Sequence, residues 1–210
     1  MFHFCDAKTR STLVEVDRER FGRAIAAIDA ANADDHVRII VRGEERPKEL
    51  AHAELVTEWV HRLEKAPSEE LLLAARAHHL RRWAIPRSSY PDGRSGYLKW
   101  RKALHEQHST DVAEILQPLG YEDTAISRVQ DLIRKRRLGK DPEVQVLEDA
   151  LCLVFIETQF HDLGARLEPE KMVDVVRKTI VKMSPSAVAL AAELDLDPED
   201  RAVLERAVAG

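Results

Sequence analysis

Apolar residues recur every three or four positions along nearly the whole chain, and that spacing most restricts what it can fold into. One face of a helix repeats at 3.6 residues and one face of a strand at two. Phe21, Ile25 and Ile28 set the helical spacing within 17–32, and Leu55, Val56, Trp59 and Leu63 set it within 49–63. Ser68 suits the N-cap of a third helix reaching about 83, because its hydroxyl accepts an orphan backbone N–H. Further helices are expected over 97–107, 110–119, 124–137, 142–161, 168–182 and 198–209. Residues 37–41 are β-branched and short, and read as one strand or an extended connector before Pro47. The expectation is an all-α fold of eight or more helices with at most one short strand. Eight Gly and nine Pro among 210 residues are too few for the many tight turns of a sandwich or barrel.

With 44% hydrophobic residues the chain can build one compact core. One domain is expected over 1–210, with 1–47 as an N-terminal helix and connector and 184–210 as a C-terminal helical appendage. Lys and Arg total 32 against 37 Asp and Glu, a formal net charge of -5. A nucleic-acid coat would be basic, so any such contact must be a local patch. Cys5 and Cys152 make no disulfide framework. Without a leader or an apolar run near 18 residues, a soluble, cytoplasmic protein with no membrane contact is expected. There is no Gly-rich phosphate loop, no dinucleotide fingerprint, no Cys pair at zinc spacing, and no nucleophile elbow around Ser88-Ser89.

The chemistry lies in the histidines. His52 shares a stripe with Leu55, Val56, Trp59 and Leu63 and faces inward; His61, nine residues on, falls on the opposite side and faces water. His78 and His79 follow the apolar run Leu71–Ala75 at a helix end, where the competing role is dipole compensation. His108 precedes Val112, Ile115 and Leu116 at inward spacings, the competing role being a first-turn residue capped by Ser109 or Thr110. Asp149 shares a face with Val146, Cys152, Leu153 and Ile156. A carboxylate there needs a cation, an arginine or several backbone donors.

The order His52, the doublet in Ala74-Ala75-Arg76-Ala77-His78-His79-Leu80, and the distant Asp149 in Val146-Leu147-Glu148-Asp149-Ala150 resembles the HD-domain superfamily of metal-dependent phosphohydrolases. His108 resembles the extra histidine that some members place between the two. More closely, 49–56, 128–135 and 141–151 are similar to a family catalogued as a domain of unknown function, a resemblance covering 17–208. The resemblance implies an HD-like helical bundle with His52, His78, His79, Asp149 and His108 around a divalent ion. His79 stands where the superfamily has its paired Asp. Imidazole in place of a hard oxygen shifts preference toward Zn, Fe, Mn, Co or Ni.

A phosphoryl substrate needs positive charge beside the ion. Arg87, Tyr90 and Arg94 follow the doublet in a loop that mixes arginine with aromatic rings, and Arg136, Arg137 and Lys140 end a helix near Asp149 in sequence. The expected ligand is a nucleotide or small phosphorylated metabolite, with Glu148 or Glu54 supporting the site. The alternative class is a non-catalytic HD-like module that binds RNA, a nucleotide or a protein partner.

Overall fold

The computed structural model describes the backbone of residues 7–209 and side chains from 17 onward. Cys5 lies outside the described residues. Ten α-helices and one hairpin are described. α1 is Ala7–Ala33; β1 (Arg38–Val41) and β2 (Glu44–Pro47) follow; then come α2 (Lys48–Leu63), α3 (Glu69–Ala77), α4 (Gly93–Leu116), α5 (Asp123–Ile133), α6 (Pro142–Thr158), α7 (Phe160–Gly164), α8 (Pro169–Ile180), α9 (Pro185–Ala192) and α10 (Pro198–Ala209). The fold is all-α, as the periodicity requires.

Two strands are present where at most one was expected. Val41 pairs with Glu44, so the connection is the two residues Arg42-Gly43. Both have positive φ, 53° and 83°, the conformation that lets a two-residue turn match strand twist. β2 reads Glu-Glu-Arg-Pro, a charged segment with no apolar alternation to betray it.

Helix ends differ from expectation in several places, among them α1 from Ala7, α5 to Ile133 and α6 to Thr158, and three differences have a plain local reason. α3 is capped by the Ser68 hydroxyl, which accepts from the Leu71 N–H at 3.0 Å, but it stops at Ala77 rather than near 83. Arg81 then turns left-handed at φ 51°, and a single 3-10 turn covers Arg82–Ala84. α4 is one helix where two were expected over 97–119. Ser109 and Thr110 do not cap; their hydroxyls donate back to the carbonyls of His105 and Glu106, four residues earlier. The 184–198 stretch contains α9, capped by the Ser184 hydroxyl on Ala187 N–H.

α2 packs between α6 and α3, α3 and α4 pack on α5, and α8 packs on α10. Val56, Val60, Leu71, Leu73, Leu132, Leu147 and Leu153 fill the space among α2, α3, α5 and α6 with essentially no exposure. This arrangement brings the first turn of α2, the turn after α3 and the middle of α4 to one place.

Candidate metal centre

Six polar side chains are buried where those segments meet or close by: Glu49, His52, His78, His108, Glu148 and Asp149. His79 joins them, 23% exposed. The sequence pattern assigned the His positions to the interior, and His61 is exposed as expected.

Backbone carbonyls fix two of the rings. His78 Nδ1 lies 2.7 Å from the Ala75 carbonyl oxygen, and His108 Nδ1 lies 2.7 Å from that of Leu80. A carbonyl only accepts, so both Nδ1 atoms carry the proton. In neutral rings each Nε2 then holds a lone pair. His108 Nε2 is buried and has no hydrogen-bond partner among the described residues. His79 Nδ1 donates to Glu49 Oε2 at 2.9 Å. On His52 the tautomer reverses. The Thr158 hydroxyl donates to the Val154 carbonyl at 2.7 Å, so at 3.4 Å it accepts from His52 Nε2. His52 Nδ1 then turns its lone pair toward Glu49 Oε2, 4.0 Å away.

One ligand atom from each of Glu49, His52 and His79 lies within 4.8 Å of the others. The ring centroids of His78 and His79 are 4.1 Å apart, and those of His79 and His108 are 5.9 Å apart. Burial holds the rings neutral. It pushes His52 down to about 4 and His108 down to about 3, and drives His78 and His79 well below the ordinary imidazole value. Burial also pushes Glu49 up to about 7, against the pull of Arg82. Neutral imidazoles with fixed tautomers and one orphaned lone pair are donors that could hold a divalent transition ion.

Glu49 was missed in the sequence. An acidic residue in the first turn of a helix reads as dipole compensation, yet Glu49 and His52 form an i, i+3 pair that puts both on one helix face. Asp149 takes another role. Its Oδ1 accepts from Ser184 N–H at 2.8 Å and from Gln145 Nε2 at 2.9 Å, tying α6 to the start of α9. The carboxylate that lies among the histidines is Glu49.

The expected phosphate-binding residues disperse. Arg87 donates to the carbonyls of Tyr90 and Pro91 at 2.8 and 2.9 Å, closing its own loop. Tyr90 is half-buried in that loop, while Arg94 is exposed in the first turn of α4. Arg136 pairs with Asp131 at 2.9 Å; Arg137 and Lys140 are exposed. Glu54 is engaged by Arg46 and Arg76.

Other cations stand closer. Arg82 Nε is 3.7 Å from Glu49 Oε1, and its guanidinium lies 4.8 Å over the Trp100 ring. Arg101 reaches His105 at 3.3 Å. Lys135 bonds Glu148, and Lys182 approaches the other Glu148 oxygen at 3.8 Å. Lys135 adopts φ 56°, a left-handed conformation that costs about 1 kcal/mol in a non-glycine residue. A second cluster, His161 with Asp197 and Asp200, is largely exposed and joins α7 to the start of α10.

Fold and site together define an all-α protein, with one short hairpin, that buries an imidazole–carboxylate cluster ringed by cations. Residues 22–204 match the family described as Domain of unknown function (DUF4202), and the chain belongs to that family. No curated protein and no solved structure matches it. No described helix is long and apolar enough to cross a membrane.

Proposed function

We propose that this protein is a metal-dependent phosphohydrolase acting on a nucleotide or small phosphorylated metabolite, with its centre at His52, His78, His79, His108 and Glu49. One observation carries the reading: His108 Nε2 is buried, unprotonated and without a partner among the described residues, with the neutral His79 ring centroid 5.9 Å from its own. A buried acceptor left unsatisfied costs roughly 1–3 kcal/mol, and an ion removes that cost. The donor set favours Zn, Fe, Mn, Co or Ni over Mg or Ca. The likeness of the His52, His78-His79 order to HD-domain phosphohydrolases points the same way.

A bound ion supplies Lewis acidity and lowers the pKa of water. The chain supplies the rest. Glu49 fixes the His79 ring through its Nδ1, and the carbonyls of Ala75 and Leu80 fix His78 and His108. Arg82 holds positive charge beside Glu49, and Arg101 holds it one turn before His105 on α4. Both are placed to neutralise charge developing on a phosphoryl group.

Metal analysis of the purified protein, followed by phosphate release from a panel of nucleotides and phosphomonoesters with Mn²⁺, Co²⁺, Fe²⁺ and Zn²⁺, tests the proposal. Stoichiometric metal with turnover that His79→Ala and His108→Ala abolish is expected. Metal without turnover on any substrate leaves the non-catalytic binding module as the reading. A protein that binds no divalent ion at micromolar concentration removes the centre altogether.

A further inference from the structure

An open groove of about 800 Å³ lies between the first turns of α4 and the C-terminal end of α8. Four basic residues line it, Arg94, Arg177, Lys178 and Lys182, and no acidic residue is among the described lining. In a protein of net charge -5 this is a local reversal of sign. Its remaining walls are Gly93 and the apolar Tyr97, Leu98 and Val181, the last three 44%, 53% and 81% exposed. Tyr97 packs against Trp100 at 5.9 Å, tilted 49°, which orients the phenol ring while leaving much of it open to the groove. Arg177 is paired with Asp174 at 3.0 Å and Lys182 with Glu148 at 3.8 Å, whereas Arg94 and Lys178 have no ion-pair partner among the described residues. An aromatic platform beside such cations is the composition that accepts a nucleobase and its phosphates.

The groove is joined to the histidine cluster in two ways. Arg94, Tyr97, Arg101, His105 and His108 follow one another at spacings of three, four, four and three, so they form one stripe along α4. From Tyr97 to His108 the stripe climbs about 16 Å at the helical rise, a length that a nucleoside polyphosphate or the end of a nucleic-acid strand can span. Lys182, in the groove wall, also reaches Glu148, whose other oxygen holds Lys135.

We propose that this groove receives the base-bearing end of a nucleotide, whose phosphate end runs along the α4 stripe to the histidine cluster. The assignment rests on reading that cluster as the hydrolytic centre, and it names the substrate class. Tyr97 stacks on the base, Arg94 and Lys178 meet phosphate or ribose at the rim, and Arg101 carries the charge inward.

Calorimetric titration of the full chain with ATP and, separately, with a 5′-phosphorylated single-stranded trinucleotide tests it. Metal content and melting temperature are recorded for every variant. Wild type should bind at least one ligand, and the tighter of the two identifies a free nucleotide or a strand end as the source. Tyr97→Ala should weaken that binding roughly tenfold. Arg94→Ala/Lys178→Ala should weaken it and flatten its salt dependence. All variants should keep the wild-type metal content and melting temperature, because the replaced side chains are exposed. Absence of binding to either ligand, or variants that bind as wild type does, overturns the proposal. Groove-dependent binding by a protein that holds no metal and releases no phosphate would keep the groove and remove the hydrolytic centre. Metal-dependent turnover of phosphomonoesters that is indifferent to the groove would do the opposite.

Discussion

Glu49 and His79 are thirty residues apart in the chain, yet the carboxylate of one accepts from the ring of the other at 2.9 Å. The contact joins the first turn of α2 to the turn that follows α3. It makes Glu49 the orienting carboxylate of the cluster, since a ligating histidine is held by what its other ring nitrogen bonds.

Glu49→Gln should therefore lower affinity for Zn²⁺ or Mn²⁺ by roughly 10- to 100-fold, measured by competition with a chromogenic chelator. Asp149→Asn provides the contrast. Its Oδ1 is committed to Ser184 N–H and Gln145, so the variant should lose about 1 kcal/mol of stability to urea and keep its metal affinity. Loss of metal in Asp149→Asn with full affinity kept in Glu49→Gln would return the carboxylate role to Asp149.

The metal-free protein should lose stability steeply on mild acidification. Five histidines are held neutral by burial: His52 and His105 down to about 4, His108 down to about 3, and His78 and His79 well below the usual value. Below about pH 6.5 each takes a proton on unfolding that it does not hold when folded. Their contribution is full above pH 6.5 and falls away as pH drops toward 4. Glu49 opposes this. Pushed up to about 7 from 4.5, it holds a proton in the fold that the unfolded chain releases, so its contribution is lost as pH rises toward 7. His79, partly exposed, counts least. The histidines outnumber Glu49, so unfolding near pH 5 takes up protons on balance. Thermal melts in chelator between pH 7 and pH 5 should show a steep fall, and a flat melting temperature over that range contradicts the buried neutral cluster.

Much of this was legible in the sequence, and the gaps have physical causes. α2 and α10 start and end where spacing and Pro198 put them, and His52, His78 and His108 are buried as their phases require. The hairpin was hidden because β2 is charged and its turn is Arg42-Gly43, without the Asn-Gly or Asp-Gly signature. The division of α4 was misplaced because Ser and Thr look alike as caps and as back-bonding residues. Glu49 was invisible because a first-turn acid has a sufficient local reason to exist. Arg87 misled because periodicity does not reveal that its guanidinium closes its own loop.

Lys135 and Glu148 should behave as a coupled pair. Glu148 is 4% exposed and Lys135 20%, and burial pulls the lysine below its ordinary pKa. Lys135→Met leaves the buried Glu148 charge with only the more distant Lys182 and Arg101 and should cost ~3 kcal/mol. Adding Glu148→Leu removes the stranded charge and should recover most of that loss. A double-mutant cycle by urea unfolding measures the coupling; additive costs would mean that the two charges act independently.

Gly96→Ala should damage the groove without touching a groove side chain. A Cβ at Gly96 would sit 1.9 Å from the Pro91 carbonyl oxygen and 2.8 Å from its carbon. Both are backbone atoms, so the strain cannot be relieved by rotating a side chain. Pro91 O is also where Arg87 donates from the other side at 2.9 Å. The loop before α4 and the first turn of α4 are thus locked together at one carbonyl, and Arg94 and Tyr97 flank the contact in sequence. Pushing that carbonyl away should cost ~1–3 kcal/mol and displace Tyr97 from the groove wall. The histidine cluster, the proposed metal centre, lies further along α4, so metal binding there should match that of the wild type. The expected result is therefore a lowered melting temperature, nucleotide binding weakened as in Tyr97→Ala, and unchanged metal content. If Gly96→Ala binds nucleotide as wild type does despite its lower stability, the first turn of α4 does not shape the binding surface.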